Sequence, residues 1–139
     1  MNNLLLLSGR ILLSILFLVS GAEKFGELAP MLVGLLGQMG LPLPLLLTYL
    51  MGICEIVGAI ALILGFQTRA VGILLAVWCV LTGVVAHLGA PVDLMKNLAI
   101  AGGLVILAAA SPGSIALGSV RPKRTSPAAM VSSNAMLDN

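Results

Sequence analysis

The sequence predicts an all-α integral membrane protein: a four-transmembrane-helix bundle with a short interfacial helix between helices 1 and 2. Three observations carry that reading. The chain of 139 residues is 60% hydrophobic and only 9% charged, a balance that suits lipid better than a small water-soluble core. Its apolar residues fall in four runs, 4–22, 43–65, 70–87 and 91–110, each long enough at a rise of about 1.5 Å per residue to cross about 30 Å of hydrocarbon. The runs are continuous, without the alternation of a membrane barrel strand. Lipid gives the backbone no hydrogen bonds, so continuous runs must be helices.

The first span, 4–22, contains Arg10 and ends on the small residues Ser20, Gly21 and Ala22. A cleaved signal peptide also ends on small residues. Here no basic residue precedes Leu4, and Arg10 interrupts the apolar stretch, so a retained span is the better reading. The following segment, 25–42, is not an ordinary loop. Residues 31–39 are apolar between Pro30 and the Gly40-Leu41-Pro42 break, and read as a short interfacial or re-entrant helix.

The second span carries Glu55, the sole charge in a run of twenty-three residues, 43–65. A mid-helix acid costs about 2.5–3.5 kcal/mol on insertion scales, and each Leu, Ile or Val returns about 0.3–0.6 kcal/mol. The twelve such residues in the run supply about 4–7 kcal/mol, so insertion survives. An intramembrane carboxyl is nevertheless costly, and marks a functional site by default. Phe66-Gln67-Thr68-Arg69 is so short a connection that the second and third spans are expected to be antiparallel neighbours. The link at 88–92 is nearly as tight. Ser111-Pro112-Gly113 closes the fourth span. Residues 1–110 thus read as the transmembrane domain, and 111–139, rich in Ser, Pro, Ala and Asn, as a disordered cytoplasmic tail.

Basic residues set the orientation. Arg10, Arg69, Arg121, Lys123 and Arg124 fall on one side and Lys24 and Lys96 on the other, which puts both termini in the cytoplasm. A net charge of +2, scattered along the chain, excludes a nucleic-acid partner. Cys54 and Cys79 form no CxxC pair and no metal-like set, and read as buried packing thiols. His87 has no second His with which to build a metal site. Phosphate loops, nucleophile elbows and zinc spacings are also missing from the sequence. Trp78 and Tyr49 are single aromatics that read as packing residues.

Helical spacing gives three faces. Arg10, Ser14, Phe17, Gly21 and Lys24 share one on the first span; Thr48, Gly52, Glu55 and Ala59 share one on the second. Gly72, Ala76, Cys79 and Gly83 line the third. Small residues allow close backbone approach in lipid, so these faces turn inward. Counted from the span ends, Arg10 lies about 9 Å and Glu55 about 15 Å from the cytoplasmic side. An offset of roughly 6 Å is within reach of a guanidinium, and an Arg10–Glu55 ion pair is expected. Three roles stay open: a pair that fixes register, a carboxyl that exchanges protons or holds a ligand, or an Arg10 that snorkels away from a protonated Glu55. A second cluster is expected at the outer mouth, from Lys24, His87, Asp93, Lys96 and Asn97. Asp93 and Lys96, three apart, are placed to pair locally.

The ordered pieces resemble the DoxX family of small bacterial membrane proteins. They are Gly9-Arg10 with Phe17, Gly21…Lys24-Phe25, Gly40-Leu41-Pro42, Glu55 with Val57-Gly58, Leu64-Gly65…Thr68-Arg69, and Lys96-Asn97. They cover about residues 4–110. The resemblance implies a four-helix protein of the bacterial inner membrane. It also implies an accessory subunit in a membrane redox process, linked to quinone or to thiol stress, partnered by the lipid bilayer and by other redox subunits or further copies of itself. Quinone carbonyls would take hydrogen bonds from Lys96, Asn97 or Arg10, with Glu55 moving protons. The competing reading is a non-enzymatic membrane scaffold or assembly factor. A small-solute carrier is disfavoured, since inverted repeats and broken central helices are absent from the sequence.

Overall fold

The computed structural model describes residues 3–87 and 89–110. Five helices follow in order: α1 (Asn3–Glu23), α2 (Ala29–Gln38), α3 (Pro44–Leu64), α4 (Thr68–His87) and α5 (Pro91–Ala110). The four long ones are apolar enough to cross a membrane, and α2 is the short apolar helix between the first two of them. The expected tail at 111–139 lies outside the described residues.

Local sequence explains where the helices stop. α2 ends with Leu41 N–H donating to Leu36 O (3.1 Å) and Gly40 N–H to Gly37 O (3.0 Å). α3 ends the same way, Phe66 N–H to Ala61 O (2.9 Å) and Gly65 N–H to Leu62 O (3.1 Å). Both are Schellman closures, which need a left-handed residue just past the helix. Gly40 (φ 73°) and Gly65 (φ 70°) fill that position. Pro44 then opens α3 after Leu43, itself left-handed at φ 51°.

The bundle is built from two close pairs, α1 on α3 and α4 on α5, with α2 lying against α3. Contacts between α3 and α4 are thinner, although only a short turn joins them. Small residues decide this. A Cβ placed on Gly21 would meet Gly52 O at 2.9 Å, and one on Gly52 would meet Gly21 O at 2.8 Å, so α1 and α3 touch backbone to backbone. Gly72 approaches Leu104 O and Ala108 across the α4–α5 seam, and Gly83 approaches Asn97. Between α3 and α4 the corresponding contact is Gly58 on a Leu75 side chain, which holds the backbones further apart.

Apolar side chains both fill the core and cover the outside of the bundle. The core is Phe17, Ala59, Leu62, Leu75, Ala76, Cys79, Ala101, Leu104 and Leu107, and with it are buried Arg10, Ser14, Lys24, Thr48, Glu55 and Thr68. Leu5, Leu12, Leu74 and Ile106 stand outside, each 68–70% exposed. So much apolar surface on every long helix is what lipid contact requires. Two of the buried hydroxyls are satisfied within their own helices, Ser14 donating to Arg10 O (2.6 Å) and Thr48 to Pro44 O (2.9 Å), whereas the Thr68 hydroxyl bonds to no described group.

Candidate functional site

Glu55 projects from the middle of α3 and is 4% exposed. Its two oxygens are held by two different helices. Lys24 Nζ, at the end of α1, donates to Oε2 at 2.8 Å, and Trp78 Nε1–H, from α4, donates to Oε1 at 2.6 Å. Lys24 is itself 5% exposed and also donates to Ser20 Oγ (3.0 Å) and Ser20 O (3.2 Å). Charge-assisted bonds of this kind are short and strong in a low-dielectric interior, where an isolated carboxylate would be prohibitive. One carboxylate therefore ties three helices together.

The ion pair differs from the expected Arg10–Glu55. Register is the reason. A Cβ on Gly21 would lie 3.3 Å from Glu55 Cβ, and one on Gly52 would lie 3.2 Å from Lys24 Cβ. Gly21 is thus level with Glu55, and Lys24 sits one turn away with its stem running back toward the carboxylate. Arg10 lies eleven residues from Gly21 in the other direction, about 16 Å along the axis. Counting depth from the span ends treated those ends as level; the Gly21–Gly52 contact staggers them. Arg10 is buried at 2% exposure, toward the opposite end of the bundle from the site.

The outer-mouth residues divide. Lys24 joins Glu55. Asp93 and Lys96 pair across one turn at 2.9 Å with both side chains exposed, and Asn97 Nδ2 donates to Asp93 O at 3.0 Å. His87 and Asn97 line a cavity of about 370 Å³ that runs from the mouth down to Glu55. Lys24, Ser20, Trp78 and Cys79 also line it near Glu55, and Leu28, Leu32, Leu35 and Met39 of the α2 segment form its opposite, apolar wall. A volume of that size with few polar groups among many apolar ones has the character of a small-molecule site.

Trp78 is the site residue that sequence reasoning missed. The available signal was chemical: a buried indole N–H needs an acceptor, and Glu55 is the lone carboxylate within the spans' central depth. The cysteines also part company. Cys79 is in the core on the cavity wall, whereas Cys54 is exposed on the outer face of α3, and both are free thiols. Among the described residues no cluster of three His, Cys, Asp or Glu side chains is arranged to hold a metal ion.

The profile of the DoxX family matches residues 5–88. The chain belongs to the DoxX family. Two relatives from Escherichia coli K12 are similar over most of their length. Inner membrane protein YphA is 30% identical over 123 residues, covering 81% of this chain and 87% of its own. Inner membrane protein YqjF is 30% identical over 125 residues, covering 85% and 92%. No solved structure matches the chain. Within this DoxX protein the matched region takes in α1 through α4, and so contains Lys24, Glu55 and Trp78.

Proposed function

We propose that this DoxX-family protein of the inner membrane is a ligand-binding accessory component of a membrane redox process, taking a quinone-class molecule into the cavity beneath α2. The observation that carries the reading is the cavity itself. Its walls are Leu- and Met-rich and its inner end is the Lys24–Glu55–Trp78 network, matching a molecule with an apolar body and one polar end. The redox setting comes from the family resemblance, and the membrane from the four long apolar helices and the two inner-membrane relatives. Both termini face the cytoplasm in this reading, on the five-to-two asymmetry of basic residues. The test is gentle purification in detergent followed by solvent extraction and mass spectrometry. A quinone-class molecule recovered near one per chain, and lost in Glu55→Gln, is the expected result.

One observation favours a second reading, a membrane scaffold or assembly factor. Every N–H of Lys24 and Trp78 is already bonded within the protein, as a purely structural clasp would be. A stoichiometric partner chain co-purifying with no small molecule would select that reading and reject the first.

A further inference from the structure

The inner end of the cavity has a definite hydrogen-bond polarity. Lys24 has three N–H groups, and three acceptors take them: Glu55 Oε2, Ser20 Oγ and Ser20 O. The single indole N–H of Trp78 is taken by Glu55 Oε1. The strong donors are therefore used up. Acceptor capacity is not: a carboxylate offers about four lone-pair sites, and the Glu55 oxygens receive one bond each. The Ser20 hydroxyl, which accepts from Lys24, donates to no described group. Ser20 Oγ and Glu55 Oε2 lie within 3.0 Å of the same Nζ, and both residues line the cavity.

We infer that the cavity selects an apolar molecule carrying a hydroxyl, whose O–H donates to Glu55 while its oxygen accepts from Ser20. The inference rests on the ligand cavity proposed above and adds the polarity of the ligand. For a quinone-class couple it means that the reduced, hydroxyl-bearing member is held and the carbonyl-bearing member is disfavoured. A carbonyl in that place sets its lone pairs against a carboxylate and leaves the spare acceptors of Glu55 desolvated. A cationic head group gains little, because Lys24 already neutralises Glu55.

The test compares thymol with thymol methyl ether, two small apolar probes that differ in whether the oxygen carries a hydrogen. Each is titrated by calorimetry into the purified protein in dodecyl maltoside, against empty micelles. Trp78, the one tryptophan of the chain, reports occupancy of this cavity through its emission. Thymol should bind about tenfold to a hundredfold more tightly than the ether and shift the Trp78 emission. The preference should shrink in Glu55→Gln and in Ser20→Ala. Equal affinity for the two probes overturns the inference about the hydroxyl but leaves the cavity as a ligand site. Binding of neither probe, or binding that leaves Trp78 unperturbed, overturns both.

Discussion

Lys24 and Glu55 are thirty-one residues apart in the chain and meet at 2.8 Å, each almost wholly buried. Neither charge is tolerable alone at that depth. Together, with the Trp78 indole on the second carboxylate oxygen, they become a neutral clasp that α1, α3 and α4 share.

Breaking that clasp from one side strands a charge. Lys24→Met and Glu55→Gln are each expected to cost about 3–5 kcal/mol, read as loss of monodisperse protein on heating in detergent. The double variant should recover a large part of the loss. Arg10→Gln combined with Glu55→Gln should instead be additive, because about 16 Å separates the two along the bundle. Strong coupling in the Arg10 cycle, and none in the Lys24 cycle, would reverse the assignment.

Trp78→Phe keeps an aromatic ring, though a smaller one, and deletes one bond to a charged acceptor. A loss of about 1.5–3 kcal/mol is expected, with helix content by circular dichroism unchanged. In Glu55→Gln the same Trp78→Phe change should cost less, since the acceptor is then neutral. An equal cost in both backgrounds would show that Trp78 stabilises by packing alone.

The α1–α3 seam predicts a sharp contrast among glycines. Gly52→Ala and Gly21→Ala each drive a methyl against a backbone carbonyl at under 3.0 Å, and overpacking of that kind costs about 1–3 kcal/mol. Gly102→Ala, with nothing within 4 Å of its Cβ, should be neutral or slightly stabilising, because Ala is the better helix former. Thermal melts of the three proteins in one detergent decide it.

Orientation is checked at the C-terminus. Fluorescent protein fused after Asn139 should fold and emit, as it does only in the cytoplasm. Alkaline phosphatase at the same place should be inactive. Active phosphatase there would reject the arrangement with both ends inside.

The number of spans was legible because hydropathy is local: the runs at 4–22, 43–65, 70–87 and 91–110 coincide closely with α1, α3, α4 and α5. The helix stops were legible as well, because Gly40 and Gly65 sit where a left-handed residue must follow a helix. Helical spacing likewise put Arg10, Ser14, Phe17 and Gly21 on one face of α1, with Lys24 continuing it just past the helix end, and all five are buried. What periodicity cannot carry is the stagger between two helices. That depends on which glycines interlock, here Gly21 against Gly52, and it alone gave Glu55 to Lys24 rather than Arg10. The indole bond from Trp78 and the cavity roofed by α2 arise from three or more elements meeting. A one-dimensional pattern fixes each helix's face and length; the tertiary structure decided the partners, because contact across helices is a property of their packing and of no single segment.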